Sequence, residues 1–364
     1  MPGLELDRRT LRLIAIAFVL LAALSVHRLF FSDPSNAADV LIVRGQTMGT
    51  TYEIRVAGEA LDESLRQRVE NETTHRLDQI DGWMSNWNPE SEIARFNAHH
   101  DTSEFPVSSE TAEIVAFALA LNEASGGAFD ISVGPLVARW GFGKGARIDD
   151  SPSEVEIAEL RSHMGAGVLR AGSKGAVNGS FLAKNDPLTQ VDLSAIAKGY
   201  GVDHVAKGLE SLGRLDYLVE IGGEILAKGE RPSGGPWRVA VEKPQDDRRG
   251  IQLIIELQDE AMATSGDYRI FYIEDDERLS HTIDPRTGRP VEGGPASATV
   301  VAETATGADA WATTLMVLGE DVGLALAQKH GVAALLLVRD ENATIVERRN
   351  ALFPKAVGTG AREN

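Results

Sequence analysis

The chain has 364 residues, of which 43% are hydrophobic, so it can bury a substantial core as one large domain or two closely joined ones. Its formal net charge of −18 at pH 7 argues against nucleic acid and anionic membrane surfaces as partners, because both require clustered lysine and arginine. The sequence contains no cysteine, which excludes disulfides, thiolate catalysis and cysteine metal sites.

The first 39 residues differ from the rest of the chain. Three arginines precede an uninterrupted apolar run from Leu13 to Leu24, and Ser35-Asn36-Ala37 offers a small-residue cleavage site, as in an export signal. The run is shorter than the ~20 apolar residues of a spanning helix, although Leu29 to Phe31 could extend it into an inner-membrane anchor. We therefore predict an exported, periplasmic protein that contacts the membrane only through this segment. The alternative is a buried N-terminal helix.

Two strands and several helices are predicted in the first half of the chain. The pattern VLIVRGQTMGTTYEIRV indicates two short strands separated by Gly45 and Gly49. Apolar residues at helical spacing and capping residues then predict four helices: Ala60 to Trp83, Ser91 to Asn97, one that ends at Ser125-Gly126-Gly127, and one opened by a capping box within Ser151-Pro152-Ser153-Glu154.

A junction of strand and helix is predicted at DLSAIAKGYG, residues 192–201. LTQVDLS alternates apolar and polar residues like a half-buried strand, and the following segment has the apolar stripe of a helix. Such a junction presents free backbone N–H groups and the positive end of a helix dipole, with Asp192 and Ser194 before the helix and Lys198 in its first turn. It would stabilise an anionic phosphate. The alternative is that Asp192 or Ser194 only caps the helix and that Lys198 is solvated.

Short strands with polar turns dominate the second half of the chain. Their close succession predicts a largely antiparallel sheet covered by helices, which places the protein in the α+β class. Helices are predicted at Ala308 to Leu318 and Val322 to His330, followed by a hairpin around Asp340-Glu341-Asn342. Residues 356–364 are predicted to be a disordered tail. The chain lacks the GxGxxG, GxxxxGK[ST], HExxH and GxSxG patterns.

Two features of the second half could carry chemistry. Asp309 and Thr313 are four residues apart, so they share one face of a predicted helix, and their oxygens suit Mg²⁺. Spacing alone is equally satisfied by an exposed Asp309 that the helix dipole favours and a Thr313 bonded to the backbone. His281 could remove a proton from a hydroxyl nucleophile, because imidazole titrates near neutrality. A core histidine paired with the backbone is the alternative.

Seven separate motifs resemble, in order, those of the FAD:protein FMN transferase (ApbE) family. The resemblance runs from Thr47 to about Val338 and implies an ApbE-like fold for residues 40–355. The motifs are MGT at 48–50, MSNWNPESEIARFN at 84–97, GGAFDISVGPLVARWGFG at 126–143, DLSAIAKGYGVD at 192–203, IGGEI at 221–225, SHTIDPRTGRPV at 280–291 and ADAWATTLMVLG at 308–319.

The resemblance also implies roles for particular residues. It implies a metal site for Mg²⁺ formed by Asp309, Thr313 and the main-chain carbonyl of Ala195, with His281 as the base. The implied FAD contacts are Met48, Trp87, Ala128, Phe129, Asp130, Asp192, Lys198 and Ile283. Three of these residues could have purely structural roles instead. Met48 could belong to the core, Trp87 could anchor a loop, and Asp130 could belong to an ordinary turn.

The function that the resemblance implies is transfer of FMN from FAD to a threonine or serine of another exported protein, a flavoprotein acceptor, with release of AMP. Two alternatives remain open from the sequence: an FAD pyrophosphatase that uses water, and a non-catalytic exported flavin-binding protein. Many members of the family are lipoproteins attached through a cysteine, which this chain does not have.

Overall fold

The computed structural model describes residues 40–143, 151–175, 179–245, 250–268, 271–274, 277–342 and 344–359. The predicted export segment and residues 360–364 lie outside the described residues. The strands are β1 (Val40–Thr47), β2 (Thr50–Ala57), β3 (Phe105–Val107), β4 (Leu169–Ser173), β5 (Ser180–Lys184), β6 (Tyr217–Ile221), β7 (Glu224–Lys228), β8 (Trp237–Glu242), β9 (Ile251–Leu257), β10 (Glu260–Gly266), β11 (Phe271–Glu274), β12 (Glu277–Ser280), β13 (Ile283–Asp284), β14 (Arg289–Pro290), β15 (Ser297–Ala302), β16 (Ala333–Arg339), β17 (Ile345–Arg349) and β18 (Gly358–Thr359).

Seven helices accompany these strands in the described residues. They are α1 (Glu63–Met84), α2 (Glu92–Ala98), α3 (Ser109–Ala124), α4 (Gly134–Arg139), α5 (Glu154–Ser162), α6 (Ala197–Ser211) and α7 (Ala305–Lys329). The first four predicted helices correspond to α1, α2, α3 and α5, and the capping box of α5 is formed by Ser153 and Glu156. The two helices predicted near the C-terminus are one element that Gly319 interrupts with a φ of 73°.

One eight-stranded sheet organises the fold, in the order β1-β2-β6-β7-β10-β15-β16-β17. Every neighbouring pair in it is antiparallel, which confirms the predicted α+β class with a largely antiparallel sheet. β2 from the start of the chain pairs with β6 from its middle, so residues far apart in sequence meet on neighbouring strands.

Both faces of this sheet are buried. On one face α1, α6 and α7 cover the larger core, which includes Leu65, Val205, Ile221, Ala263 and Val300. On the other face the small sheet β18-β9-β8 packs its own apolar residues against alternate positions of the same strands. The tail predicted to be disordered therefore contributes a strand, β18, which pairs with β9.

The segment LTQVDLS does not form the predicted strand. Thr189, Val191 and Leu193 are buried, as the alternation of apolar and polar residues predicts. The segment nevertheless forms no hydrogen-bonded ladder with another strand of the described residues. Instead, the Val191 N–H donates to Asn97 Oδ1 at 2.7 Å, and Asn97 Nδ2 donates back to the Val191 carbonyl at 2.8 Å. The Asn97 side-chain amide thus takes the hydrogen-bonding place of a neighbouring strand. Burial alternates in the same way in both cases, so the sequence pattern cannot distinguish them.

Length and composition alone would also allow α7 to span a membrane, and it is the single such helix among the described residues. Half of its most apolar stretch is buried inside the fold. Ala308, Ala312 and Leu315 are fully buried within the larger core. Core packing therefore accounts for the apolar composition of α7.

Candidate functional site

Helix α6 begins without a cap of its own. Ile196 at the N-cap position has no side-chain oxygen, and Asp192 is used in the preceding turn, where its Oδ1 accepts from the Ser194 N–H at 2.9 Å and the Ser194 hydroxyl at 2.5 Å. The Gly199 N–H in the first turn donates to Asp309 Oδ2 at 3.0 Å. The carboxylate of another helix therefore performs the capping that the sequence assigned to Asp192 or Ser194.

Helices α6 and α7 cap one another. Asp203 of α6 accepts hydrogen bonds from the Ala305 and Thr306 N–H groups, both at 2.9 Å, at the start of α7. Burial raises the pKa of Asp203, although these bonds favour its charged form. A Cβ at Gly199 would collide with the Ala305 carbonyl and lie 2.8 Å from the Asp309 Cβ, so glycine permits this close approach. The two helix starts are fixed against each other.

Three charged residues meet at this contact, and we call them the ion cluster: Lys198, Glu224 and Asp309. Lys198 Nζ lies 2.7 Å from Glu224 Oε1 and 3.7 Å from Asp309 Oδ1. Glu224 is 3% exposed and Asp309 is 2% exposed, which corrects the expectation of an exposed first-turn aspartate. Lys198 is likewise paired and not simply solvated.

Burial sets the electrostatics of the ion cluster. It raises the pKa of Glu224 to about 8, with the Asp309 charge adding to the increase. Burial also raises the pKa of Asp309. For Lys198 burial acts in the lowering direction, but the two carboxylates outweigh it and raise the pKa. The cluster thus contains two acidic side chains for one ammonium, and burial opposes ionisation of both acids.

Oxygen atoms near the ion cluster could hold a divalent metal. Thr313 lies one turn beyond Asp309 on α7, and its Oγ1 is 3.3 Å from Ser265 Oγ on β10. Ala195 lies in the turn before α6, outside the helix. One carboxylate with neutral oxygens fits Mg²⁺, which prefers hard ligands and completes its shell with water and phosphate. Among the described residues there is no group of three or more acidic or histidine side chains that would make a full protein cage.

The tip of the β1–β2 hairpin packs against the same helix start. Met48 and Gly49 form its two-residue turn with φ values of 48° and 72°, the combination typical of a type I′ hairpin. The Met48 Cε lies 2.8 Å from the point that a Cβ at Gly201 would occupy. Side-chain atoms of Thr50 and Lys198 lie 2.8 and 3.3 Å from the corresponding point at Gly222. A cleft of about 430 Å³ is lined by residues 46–51 of this tip. Met48 is partly exposed, so it is not a core residue.

A second group of predicted contacts lies in the loop after α3. Ala128 and Phe129 are buried, and the Phe129 carbonyl accepts from Asn122 Nδ2 at 2.7 Å. Asp130 Oδ1 accepts from the N–H and the hydroxyl of Ser132 at 2.7 and 2.5 Å, which is the ordinary turn considered as its alternative. Burial raises the pKa of Asp130.

Asp192 connects this loop to the start of α6. Its N–H donates to the Ile131 carbonyl at 2.7 Å, and its side chain lies against Gly134. The hydrogen bond places the DLSAIAKG turn beside the Asp130 loop. Two of the sequence motifs are thereby joined in space.

His281 and Ile283 occupy the chain between β12 and β14. His281 lies edge-on to Phe142 with ring centroids 6.4 Å apart, and Ile283 is buried in a small cluster with Leu136 and Trp140. Trp87 lies on the loop after α1. It is 66% exposed, an unusual position for so large an apolar ring.

Sequence reasoning missed four residues of this region: Gly199, Asp203, Glu224 and Ser265. Glu224 had a signal, because it is an acid directly after Gly222-Gly223 at the start of an otherwise apolar strand. Asp203 and Ser265 act through partners more than 45 positions away, so spacing along the chain could not find them.

Comparison with known proteins shows which family this chain resembles. The ApbE family model matches residues 48–336. The chain is 41% identical over 315 residues to an FAD:protein FMN transferase of Vibrio cholerae, covering 86% of this chain and 92% of that protein. The solved structure of the flavin transferase ApbE from Vibrio cholerae has a TM-score of 0.77 with 41% identity, covering 86% of this chain and 98% of that one. The apo form of the flavinyl transferase ApbE from Pseudomonas stutzeri has a TM-score of 0.74 with 35% identity, covering 87% and 97%.

Proposed function

The chain belongs to the ApbE family, and we propose that it transfers FMN from FAD to a threonine or serine hydroxyl of an exported flavoprotein, with Mg²⁺ as cofactor and AMP as the second product. The observation that carries the proposal is the ion cluster. Buried carboxylates lie beside a lysine at a helix start that has no cap of its own, and such a site suits the binding of a cation together with a diphosphate.

The reaction places few chemical demands on the protein beyond position and charge. The acceptor oxygen forms a bond to the FMN phosphorus while the bond to the bridging oxygen breaks and AMP departs with that oxygen. Bound at Asp309, Thr313 and the Ala195 carbonyl, Mg²⁺ would neutralise charge on the diphosphate. Lys198 and the N–H groups at the start of α6 would bind phosphate oxygens. His281 would take the acceptor proton on a ring nitrogen.

The remaining predicted contacts would hold the FAD. Met48 and the hairpin tip border the α6 start, Ile283 offers an apolar wall, and the exposed Trp87 offers a face for stacking on the flavin. The loop of Ala128, Phe129 and Asp130 would bind polar groups of the flavin. Since Asp130 Oδ1 already accepts two bonds, Oδ2 is the oxygen we assign to the ligand.

We further propose that residues 40–355 form the FAD-binding transferase domain and that residues 1–39 export it to the periplasm or anchor it in the inner membrane. The supporting observations are the arginine-rich start and the apolar run. The acceptor protein would then be met outside the cytoplasm. A reporter fused after Val56 that is active only in the cytoplasm would contradict this.

One incubation tests the reaction. The protein is mixed with FAD, Mg²⁺ and a candidate flavoprotein domain, and AMP and protein-bound FMN are measured together. Equal amounts of both, with bound FMN lost when the acceptor hydroxyl residue is changed to alanine, support transfer. Release of AMP and free FMN without acceptor would identify a pyrophosphatase. FAD binding without any AMP would leave a flavin-binding protein.

His281→Ala tests the base. We expect FMN transfer to fall by roughly 10²–10⁴-fold, which is the contribution of general base catalysis, while FAD affinity is unchanged. A base must reach the acceptor hydroxyl but has no contact with adenine. If the variant instead binds FAD poorly and transfers normally at saturating FAD, His281 is a binding residue, and Asp284 is the next candidate base.

A further inference from the structure

Glu224 is a buried carboxylate that the proposed reaction does not use. One oxygen, Oε1, lies 2.7 Å from Lys198 Nζ, and the other, Oε2, has no hydrogen-bond partner among the described residues. Burying an unpaired carboxylate oxygen is unfavourable for folding, so stability alone gives little reason for an acid at this position. A contribution of Glu224 to the binding site would account for this unfavourable burial.

The two distances from Lys198 indicate that role. Its ammonium contacts Glu224 but stays 3.7 Å from Asp309 Oδ1, which is too far for a hydrogen bond. Asp309 Oδ2 is already bonded to the Gly199 N–H, so Oδ1 is the oxygen that remains for a metal. Without Glu224, the attraction of opposite charges would draw Lys198 onto Asp309 Oδ1.

We propose that Glu224 is a positioning residue that holds the Lys198 ammonium and thereby keeps Asp309 Oδ1 available to a divalent cation. The inference rests on the metal site of the proposed function. It also accounts for the composition of the ion cluster, in which two acidic side chains share one ammonium.

Substitutions at both ends of the Lys198–Glu224 pair test the proposal. Glu224→Met removes the anchor of Lys198, and the double variant Glu224→Met with Lys198→Met removes the competing ammonium as well. The double variant loses one acidic and one basic side chain together. Glu210→Met is the matched control, since Glu210 pairs with Lys228 at 2.5 Å elsewhere on α6.

Mn²⁺ serves as the probe, and binding is titrated by electron paramagnetic resonance on the full chain without FAD. We expect Glu224→Met to weaken Mn²⁺ binding about tenfold or more, and the double variant to return within about threefold of wild type. Glu210→Met should match wild type. Circular dichroism confirms that each variant is folded, and Glu224→Ala, which likewise removes the acceptor of Lys198, provides a second single variant if Glu224→Met is not.

Each other outcome overturns the proposal in a different way. Unchanged binding in the folded single variant would mean that Glu224 has no influence on the cation. Weak binding that persists in the double variant would mean that Glu224 contacts the cation itself. Absence of Mn²⁺ binding by wild type would remove both the metal site and this inference. Failure of FMN transfer is a separate result, because the titration uses neither FAD nor acceptor.

Discussion

Two lysines of this protein are withdrawn from solvent in different ways. Lys184 is fully buried, and its Nζ donates to the carbonyls of Phe96 at 3.3 Å and Thr189 at 3.0 Å while lying 5.0 Å from the Phe96 ring centroid. Lys198 keeps 30% of its side chain exposed and lies between two carboxylates. Burial lowers the pKa of Lys184, whereas the carboxylates raise that of Lys198.

The comparison indicates that the groups around a buried lysine determine its role. Neutral carbonyls give Lys184 directional bonds that tie β5 to the segment leading into Asp192, so its role is structural. Around Lys198, by contrast, two acidic side chains share one ammonium. In the proposed function this cluster binds a cation and an anionic substrate together.

The largest effect is expected at Asp309, which belongs to the Lys198 region. Asp309→Asn keeps an oxygen to accept the Gly199 N–H but loses the charge for the metal, so we expect Mg²⁺-dependent turnover to fall at least about 10³-fold. Thermal unfolding should change little. Asp309→Ala should lose activity equally and also stability, because the start of α6 is then left uncapped. Normal turnover by Asp309→Asn would remove the metal assignment.

Lys198→Met comes next. We expect FMN transfer to drop about 10²-fold, because an ammonium that binds phosphate in the transition state contributes roughly 2–3 kcal/mol. The unfolding free energy from urea titration should also fall, because removing the ammonium leaves the buried acids Glu224 and Asp309 without their cation. A folded variant with full activity would make Lys198 as structural as Lys184.

Lys184→Met should lower stability without lowering the rate. Two buried carbonyls lose their donor, so we expect a loss of about 2 kcal/mol in unfolding free energy, with kcat/KM of the folded enzyme within about threefold of wild type. Urea titration and steady-state transfer rates measure the two quantities on the same preparation. A large loss of rate at unchanged stability would contradict the distinction between the two lysines.

The smallest expected effect is a dependence of stability on alkaline pH. The folded-state pKa of Lys184 is lower than the ordinary value of 10.5, so between the two values the unfolded chain binds more protons than the folded one. The unfolding free energy contributed by this group therefore rises with pH in that window, by at most about 1.4 kcal/mol per pH unit. Urea titrations of wild type and Lys184→Met from pH 8 to 10 should diverge in favour of wild type.

The sequence by itself determined the elements that depend on local pattern. Helical periodicity and capping residues located α1, α2, α3 and α5, and short strands with polar turns indicated the antiparallel sheet. The order of motifs identified the family. Helical spacing placed Asp309 and Thr313 on one face, which is a property of the local backbone, and the family resemblance then suggested them as metal ligands.

Tertiary structure alone decided what those residues contact. LTQVDLS has the alternation of a strand, yet its partner is the Asn97 side chain, about 90 residues earlier in the chain. Asp309 was expected to be exposed, but it is buried because Gly199 lets α6 approach α7 closely. Glu224 enters the ion cluster because β7 packs against both α6, which carries Lys198, and α7, which carries Asp309. Periodicity reports which side of an element is buried, whereas the charge and hydrogen bonds of a site depend on which elements the whole chain packs together.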